Sequence, residues 1–294
     1  MKNLLITGGT GFIGHHLVKK LISKNRIFLV VKRNRKNVRK IGIIKKKFNT
    51  NLRPIFFNKY NELEKKITKN KIYAAVNLAT NYIKTHKHSD ISDILDSNVV
   101  FCTLVLDLCV KIKVKKFINV STSISQMVDG KKENSDNLYG ASKTAFNKIL
   151  EYYKKDYSHI KFYNLYIGHT FGSDDKRNKL IPVIIKSYKM NKTIKIVSKE
   201  LKIKAVHVDD VIKGIDMLLN KRFIKSDYLI ESNENISISK VINDLNKKLK
   251  KKIKVEWLNN KIPINPNYKI KKLNKWKTNI NLIQFLKNSI HESN

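Results

Sequence analysis

The sequence predicts an α/β protein built on a doubly wound parallel sheet. Three observations support this prediction. The chain opens with a short apolar run, a glycine-rich turn and an amphipathic stretch; apolar runs of strand length then alternate with helical patterns; and hydroxyl side chains follow one of those runs. Strands that alternate with helices of this length form parallel sheets, and such sheets bind ligands where their strands end.

The glycine-rich turn follows the first apolar run, Leu4 to Ile6, and reads TGGTGFIG over residues 7–14. Glycine can adopt backbone angles that other residues avoid, and it lets a diphosphate or a helix approach the main chain closely. An ordinary strand-to-helix turn is the alternative, but the strand before and the helix after are the context of a dinucleotide site. The predicted cofactor contacts here are Thr7, Gly8, Gly11, Phe12, Ile13 and Gly14.

The second apolar run, Ile27 to Val31, ends in Lys32 and Arg33 without an acidic residue. An acid at this point accepts bonds from the two ribose hydroxyls of NAD, whereas basic residues accommodate the 2′-phosphate of NADP. The planar guanidinium of Arg33 suits a phosphate. The sequence therefore favours NADP(H), with NAD(H) possible; the alternative is one more basic loop in a basic protein.

Three further strands are predicted at residues 54–57, 73–80 and 117–120, with a long amphipathic helix around residues 94–110 between the last two. The strand at 73–80 ends in small residues, which would let a cofactor lie close to the backbone. The strand at 117–120 runs into Ser121, Thr122 and Ser123. Hydroxyl groups are therefore expected at the carboxyl edge of the sheet, where a ligand binds.

Tyr139 and Lys143 open a further helix, which is predicted to continue through Tyr153. Four residues make about one helical turn, so the two side chains should project from the same face. A neighbouring ammonium favours the phenolate, so we expect Lys143 to lower the pKa of Tyr139 toward the range useful for proton transfer.

The formal charge of +38, from 61 Lys and Arg against 23 Asp and Glu, raises the alternative of nucleic-acid binding. The excess is nearly all lysine and occurs with abundant asparagine and isoleucine, which indicates an AT-rich coding bias. Arginine-rich stretches interleaved with aromatic residues are absent from the sequence. We therefore expect no specific nucleic-acid partner.

Cys102 and Cys109 lie seven residues apart in an apolar helical pattern and are expected to be buried thiols of a reducing compartment. No apolar run approaches membrane-spanning length, and the glycine turn begins too early for a cleaved signal. A cytoplasmic protein without a membrane partner is expected. His86 and His88 lie in a polar loop without a carboxylate or thiol at ligand spacing, so no metal site is predicted.

Taken together, the motifs TGGTGFIG, NLAT at residues 77–80, YGASK at 139–143 and HVDD at 207–210 resemble the short-chain dehydrogenase/reductase superfamily. The resemblance is to its extended branch, the NAD-dependent epimerase/dehydratase family that modifies nucleotide sugars. It implies a Rossmann cofactor domain over residues 1–165. Residues 166–294 would form mainly a smaller C-terminal substrate domain, with some segments returning to the Rossmann sheet.

The resemblance also implies roles for individual residues. Tyr139 matches the acid/base of the family, Lys143 its partner, and Thr122 the hydroxyl that faces the substrate, with Ser123 as the neighbouring candidate. His207 and Asp210 are expected to be structural, and Asp209 or Asp210 to cap a helix starting at Val211. Further cofactor contacts are implied at Asn58, Leu78, Ala79, Thr80, Asn98, Val120, Tyr139 and Lys143, and substrate contacts at Ser123, His169, Arg177 and Lys179.

The departures from the family pattern narrow the expected reaction. Sugar dehydratases have an Asp-Glu pair after the active-site hydroxyl, whereas Ser123 and Ile124 stand here, which argues against dehydration. An arginine that often binds the diphosphate is replaced by Ile203, so this role is expected to shift to Lys202, Lys204, Arg177 or Lys179. The loop 172–182 resembles that of reductases of 4-keto-6-deoxy nucleotide sugars.

The expected function is therefore NADPH-dependent reduction of a keto group on a nucleotide-activated sugar. Epimerisation with tightly held NAD is the alternative, and a non-enzymatic scaffold that binds nucleic acid is a distant third. The resemblance also implies a possible homodimer, formed through the helices around 94–110 and 142–157.

Overall fold

The computed structural model describes residues 1–47, 51–123, 128–129, 132–133, 135, 137–260 and 270–291. Its strands are β1 Lys2–Thr7, β2 Asn25–Lys32, β3 Leu52–Phe57, β4 Ala74–Asn77, β5 Lys116–Thr122, β6 Val128–Asp129, β7 Lys132–Glu133, β8 Lys161–Ile167, β9 His169–Phe171, β10 Ile194–Ile196, β11 Lys202–Ile203, β12 Ala205–His207, β13 Asp227–Ile230, β14 Ile236–Ser237 and β15 Val255–Trp257.

The helices alternate with these strands. They are α1 Phe12–Leu21, α2 Arg35–Lys47, α3 Asn61–Thr68, α4 Ile91–Leu95, α5 Phe101–Lys111, α6 Leu138–Asp156, α7 Leu180–Lys189, α8 Val208–Asn220, α9 Ile238–Asn246 and α10 Leu282–His291. A short 3-10 helix, His88–Asp90, precedes α4, and a π-helical turn, Asp96–Val100, joins α4 to α5.

Seven parallel strands form the central sheet in the order β13-β8-β5-β4-β1-β2-β3. The chain winds outward from β1 through β2 to β3, then returns to β4 and winds the other way. The predicted doubly wound parallel sheet is confirmed. Its switch point lies between β1 and β4, where open α/β sheets bind ligands.

Two apolar layers cover the faces of the sheet. The first packs α1, α2 and α8 against one face and includes Leu17, Ile41 and Ile215. The second packs α3, α5 and α6 against the other face and contains Cys102 and Cys109. Both cysteines are free and fully buried, as predicted.

A third apolar cluster lies in the C-terminal part of the chain and draws on α7, α9 and α10. It also includes Phe171 of β9 and Ala205 of β12, which belong to a parallel two-stranded sheet. Asp210 ties the C-terminal segment to α8, since its Oδ2 accepts hydrogen bonds from the backbone of Asn279 (3.0 Å) and Ile280 (3.2 Å).

A row of polar side chains crosses the buried centre of the main sheet. Thr7, Asn77, Asn119 and Asn164 are direct neighbours in the strand register. Thr7 Oγ1 donates to Asn77 Oδ1 (2.6 Å), Asn77 Nδ2 to Asn119 Oδ1 (3.1 Å), and Asn119 Nδ2 to Asn164 Oδ1 (2.8 Å). Because buried amides must be paired, this ladder fixes the register of four strands beneath the site.

Candidate active site

The glycine turn between β1 and α1 has the geometry of a dinucleotide cradle. Gly8 has φ of 67°, and a Cβ atom there would lie 2.5 Å from the carbonyl carbon of Leu78. A Cβ on Gly14 would lie 2.2 Å from Gly8 O, so α1 packs directly on the turn. Gly11 at the N-cap of α1 has no side chain to cover the first-turn N–H groups of Phe12 and Ile13. Those groups and the helix dipole suit a diphosphate.

Thr7 joins the glycine turn to the end of β4. Its Oγ1 accepts hydrogen bonds from the backbone N–H groups of Leu78 (3.2 Å) and Ala79 (3.1 Å). The predicted strand at 73–80 therefore ends at Asn77, because the next two N–H groups turn toward Thr7 instead of a neighbouring strand. Leu78 and Ala79 thus line the switch point beside the glycines.

The far edge of the cofactor site is basic. Lys32 and Arg33 are exposed at the end of β2, and Asn58 is exposed after β3. Lys40 was missed by the sequence analysis; its Nζ donates to Thr10 O in the glycine turn (2.9 Å). Thirty residues separate the two groups, and the only sequence signal was the basic helical pattern after β2.

Tyr139 and Lys143 lie one turn apart near the start of α6 and are both buried. Asn137 caps this helix by accepting from Gly140 N (2.8 Å). The Tyr139 hydroxyl hydrogen-bonds the side chains of Thr80 and Thr122. The structure thus brings the predicted acid/base together with a hydroxyl from the end of β5 and another from the segment after β4.

The expected lowering of the Tyr139 pKa is wrong. Burial raises the pKa of Tyr139 to about 12, and the hydrogen bonds with Thr80 and Thr122 and the charge of Arg177 only partly offset it. Lys143 is buried as well, and this burial lowers its own pKa. Desolvation disfavours a phenolate, so Tyr139 carries its proton at neutral pH.

Thr122, rather than its neighbour Ser123, is the hydroxyl that reaches Tyr139. Val120 and Ser123 are both buried beside it at the end of β5. Ile124, the second residue used to argue against dehydration, lies outside the described residues. Thr122 is thus the candidate in contact with Tyr139, and its role toward a substrate stays a prediction.

Asn98 connects the segment after β4 to helix α6. It is fully buried in the π-helical turn, and its Oδ1 accepts from Thr80 Oγ1 (3.1 Å) and Asn81 N (2.7 Å). Its Nδ2 donates to Asn81 O (3.1 Å) and to Ser142 Oγ (2.9 Å). Asn98 therefore holds Thr80 and α6 in fixed positions on either side of Tyr139.

His169, Arg177 and Lys179 are the basic side chains predicted to contact the substrate. Arg177 contacts an aspartate and an aromatic ring, and Lys179 contacts another aromatic ring. Arg177 Nε and Nη2 each donate to Asp175 over 2.7 Å, and its guanidinium carbon lies 4.3 Å from the centre of the Phe12 ring. Lys179 Nζ lies 4.7 Å from the centre of the Tyr82 ring. The loop after β9 is thereby held against both α1 and the segment after β4.

Burial of the side chains in and beside this loop lowers their pKa values. Burial and the nearby charge of Arg177 lower the pKa of Lys179 to about 8. The side chain of His169 is partly open to water, but many protein atoms surround its ring. This desolvation and the charge of Lys179 lower the pKa of His169 to about 4. At neutral pH His169 is therefore a neutral hydrogen-bonding group, and Lys179 a cation.

Tyr82 is a site residue that the sequence analysis missed. Its ring packs edge-on against Tyr139 with centroids 4.9 Å apart, and it also contacts Lys179. Burial raises its pKa, which keeps it neutral. No motif marks this position, since it lies in a polar loop far along the chain from both partners.

The HVDD segment is structural, but not in the predicted way. Helix α8 begins at Val208, not Val211, and its cap is His207, whose Nδ1 accepts from Asp209 N (3.2 Å). Asp210 instead binds the C-terminal segment, as described above. An imidazole nitrogen can accept a hydrogen bond from a backbone N–H as a carboxylate does. The sequence therefore offered several possible caps for α8, and the fold shows that His207 is the one that caps it.

Ile203 is buried in the third apolar cluster, while Lys202 is exposed on β11. Lys204 forms an ion pair with the buried carboxylate of Glu231 (3.0 Å). Of the four candidates for the missing arginine, only Arg177 and Lys179 are shown in contact with residues of the glycine turn or with Tyr82.

His86 precedes, and His88 begins, the short 3-10 helix. Within the described ranges, no three His, Cys, Asp or Glu side chains cluster to hold a metal ion. Helices in those ranges are also too short or too polar to cross a membrane.

Fold and site together define a class: a doubly wound α/β enzyme with a dinucleotide cradle and a buried Tyr–Lys pair at the switch point. The family model of the NAD dependent epimerase/dehydratase family matches residues 4–230. The chain belongs to this family, and is therefore an enzyme that uses a nicotinamide dinucleotide.

Individual proteins are similar over most of the chain. CDP-abequose synthase of Salmonella muenchen is 26% identical over 259 residues, which are 87% of this chain and 84% of that protein. The enzyme of the same name from Yersinia pseudotuberculosis is 26% identical over 237 residues, 80% and 77% of the two chains. UDP-glucuronic acid 4-epimerase of Bacillus cereus, solved with UDP-glucuronic acid and NAD, superposes with a TM-score of 0.81 at 20% identity over 99% and 98% of the two chains.

Proposed function

We propose that this enzyme is an NADPH-dependent reductase of a nucleotide-activated sugar, with a 4-keto-6-deoxy sugar as the substrate. Family membership supports a nicotinamide-dependent reaction. The similarity to two CDP-abequose synthases supports a nucleotide-sugar substrate. The geometry around Tyr139 supports proton transfer to a carbonyl oxygen.

The observation that carries this proposal is the position of Tyr139, whose buried hydroxyl contacts the hydroxyls of Thr80 and Thr122 at the carboxyl edge of the sheet. Its pKa of about 12 keeps the phenol protonated at neutral pH. Reduction of a ketone requires a proton donor at the carbonyl oxygen, which this phenol provides. Epimerisation would add a preceding oxidation that removes a hydroxyl proton, so net consumption of NADPH is what separates the two reactions.

Each site residue has a separate role in the proposed reduction. A nicotinamide dinucleotide, which the glycine turn, Leu78 and Ala79 would hold, would supply hydride for the carbonyl carbon. Tyr139 gives its proton to the carbonyl oxygen, and Thr122 donates a hydrogen bond to the same oxygen. Lys143, buried one turn along α6, stabilises the tyrosinate that remains. Asn98 holds the two sides of this arrangement together.

The nucleotide end of the substrate is assigned to the loop after β9. Arg177 and Lys179 supply positive charge for a diphosphate, and the neutral His169 supplies a hydrogen bond. Asp175 neutralises part of the charge of Arg177 but fixes the direction of its guanidinium. The loop therefore presents a positively charged guanidinium whose orientation is fixed before the substrate binds.

The reaction type is tested by stoichiometry. Purified enzyme is incubated with keto and non-keto nucleotide sugars, each with and without NADPH, and product and oxidised cofactor are quantified. One NADPH oxidised for each keto sugar reduced is expected. Interconversion of two sugars without net NADPH consumption would assign the enzyme to the epimerases instead.

The cofactor preference has its own test. NADPH is favoured because Lys32 and Arg33 end β2 without an acidic residue, and Lys40 adds a cation at the glycine turn. Arg33→Ala should weaken NADPH binding by about 1.5–3 kcal/mol, the value of a charged hydrogen bond, and leave NADH binding nearly unchanged. Arg26→Ala, at the opposite end of the same strand, is the matched control. Equal loss of both cofactors would contradict the preference.

A further inference from the structure

A basic pocket lies at the amino edge of the main sheet, opposite the edge that carries the glycine turn. It is formed by the end of α8, the loop 221–226 that leads into β13, and the segment 271–275. This segment runs beside β13, since Leu229 N donates to Lys271 O (3.0 Å) and Leu273 N donates to Leu229 O (3.2 Å). The volume of the pocket is about 480 Å³, which lies in the usual range for small-molecule sites.

The charged side chains that line this pocket are all cationic; they are Lys221, Arg222, Lys225, Lys271 and Lys275. In the part of the chain that the structure describes, none of these five forms an ion pair with a carboxylate. Asp227, which adjoins the loop in sequence, pairs instead with Lys154 (3.0 Å). Basic clusters are common in a chain of net charge +38, so charge alone does not define a site. The concave shape and the rest of the lining have to distinguish this cluster.

The end of α8 does not need these cations. The carbonyl groups of a last helical turn carry partial negative charge and attract basic side chains. Here the buried Lys116 fills that role, because its Nζ donates to the carbonyls of Leu218 (2.8 Å), Leu219 (2.9 Å) and Lys221 (2.7 Å). Burial lowers the pKa of Lys116, but three donated bonds use all the protons of an ammonium group. The exposed side chains of Lys221 and Arg222 therefore remain available to an anion in the pocket.

Hydrogen bonds and ring contacts hold the loop 221–226 in place. The Tyr163 hydroxyl accepts from Phe223 N (3.2 Å), and the Tyr228 hydroxyl accepts from Lys225 N (3.0 Å). The Phe223 ring packs edge-on against both tyrosines, with centroids 6.5 Å and 5.6 Å away. Phe223 is nevertheless only half-buried and lines the pocket beside the fully exposed Ile224. The pocket is therefore pre-formed, with an apolar part next to the basic one.

This lining suits an anion that carries a flat, weakly polar ring. The guanidinium of Arg222 can bind two phosphate oxygens at once, and the lysines supply further positive charge. Phe223, Ile224 and Met217 offer the apolar surface on which a base can lie, and bases stack on aromatic rings whatever their sequence. A simple inorganic anion would leave this surface uncovered, and an uncharged ring would leave the cations without partners.

We propose that this pocket binds a nucleoside polyphosphate, with its phosphates on the basic side chains and its base against Phe223 and Ile224. The site is separate from the active site. The loop before β13 and the glycine turn after β1 lie at opposite edges of the same parallel sheet. The proposal does not depend on the reductase activity.

The test measures binding by isothermal titration calorimetry at physiological ionic strength. ATP and CTP are titrated separately into the purified protein, with tripolyphosphate as the ligand without a base and cytidine as the ligand without a phosphate. At least one of the two nucleotides should bind at least tenfold more tightly than either fragment.

Variants assign that binding to the pocket. Arg222→Ala and Lys225→Ala should each raise the dissociation constants of the nucleotide and of tripolyphosphate at least fivefold. Phe223→Leu should weaken the nucleotide and leave tripolyphosphate unchanged. Lys192→Ala is the matched control, because it removes an exposed lysine just after α7, outside the pocket, and should bind as the wild type does. Arg222 and Lys225 are exposed, so their variants remain informative even if Phe223→Leu does not fold.

Binding at the active site is distinguished by two further variants. The binding event that Arg222→Ala removes should persist in Arg33→Ala and in Lys179→Gln, which alter the predicted cofactor and substrate sites. Nucleotide binding that is lost in either of these variants but kept in Arg222→Ala would place the nucleotide in the active site and overturn the proposal.

Two other results would also overturn it. Tripolyphosphate that binds as tightly as ATP and CTP, with no effect of Phe223→Leu on either nucleotide, would show that the pocket is only a charged surface. An RNA oligonucleotide or phosphatidylglycerol vesicles that bind through Arg222, when neither nucleotide binds, would assign this surface to a macromolecule or a membrane instead.

Discussion

Tyr139 combines a buried hydroxyl with two threonine partners, and its protonation is the feature on which the proposed chemistry depends most. Tyr139→Phe keeps the ring and its packing against Tyr82 but removes the proton. Turnover should fall by about 100-fold or more, the usual size of an acid–base contribution, while NADPH affinity and melting temperature change little.

Thr122→Val is the companion variant, measured in the same steady-state assay. It should cost less than Tyr139→Phe, because it removes a hydrogen bond to the carbonyl oxygen and leaves the proton donor. A Tyr139→Phe enzyme with wild-type turnover would show that the proton comes from another group.

Lys179 should make substrate binding depend on pH. Its pKa of about 8 means that it is charged below pH 8 and neutral above. A diphosphate substrate should therefore bind more weakly as the pH rises through 8, and KM should increase several-fold between pH 7 and 9. Lys179→Gln should have a raised KM at pH 7 and lose this increase.

Lys176→Gln, which changes an exposed lysine of the same loop, is the control and should keep the wild-type pH profile. A KM for the wild type that does not vary between pH 7 and 9 would show that Lys179 does not contact the diphosphate.

At the residue scale, the sequence predicted which residues form the site better than it predicted their pKa values. The spacing of Tyr139 and Lys143 followed from helical periodicity, whereas the choice of Thr122 among the hydroxyls after β5 came from the family resemblance. The direction of the Tyr139 pKa was not, because desolvation depends on how deeply the fold encloses the ring. Lys40 and Tyr82 were missed since each reaches the site from a segment without a motif.

At the scale of elements, the π-helical turn before α5 is the feature that positions the site. A single helix was predicted over residues 94–110, but the structure inserts this turn at Asp96–Val100 and places Asn98 on it. Such turns are frequent at functional sites. The wider turn lets the Asn98 amide reach both Thr80 and Ser142, which periodicity alone could not show.

Replacing Asn98 should therefore affect stability and activity together. Asn98→Ala leaves Asn81 N and Ser142 Oγ without their buried partner, and we expect a loss of about 2–4 kcal/mol in the free energy of unfolding. Turnover should fall because Thr80 and α6 are no longer tied across Tyr139. Chemical denaturation and steady-state kinetics measure the two effects.

The control for this element is Thr103→Ala on α5. Among the residues that the structure describes, Thr103 Oγ1 bonds to Val99 O one turn away (2.8 Å), so its removal should cost less than about 1 kcal/mol and leave turnover unchanged. If Asn98→Ala is as stable and active as Thr103→Ala, the asparagine is not the element that holds the site.

At the scale of the whole molecule, the doubly wound parallel sheet and the alternation of strands and helices were predictable, because parallel βαβ units have few allowed topologies. The third apolar cluster was harder to anticipate, since it joins β9, β12 and helices from distant parts of the chain. The high positive charge is spread mainly over lysines, and weak, salt-sensitive binding to nucleic acids stays the expectation.

Association of two chains through the α4 to α6 region is the last prediction. Exposed apolar side chains occur on this side at Leu95, Val100, Leu104 and Tyr152, on elements that pack against one another. We expect a homodimer that buries them, since apolar groups exposed together mark interaction surfaces. Leu104→Glu would place a carboxylate in that interface and should raise the dimer dissociation constant at least 100-fold.

Light scattering after size-exclusion chromatography measures the mass of each variant. Met190→Glu is the matched control, because Met190 is an exposed apolar residue at the end of α7, outside this surface. It should stay dimeric while Leu104→Glu runs as a monomer with unchanged helix content. Since Tyr139 and Lys143 also lie on α6, a loss of activity in folded Leu104→Glu monomers would show that pairing supports the catalytic helix. A wild-type protein that remains monomeric at tens of micromolar would remove the interface from consideration.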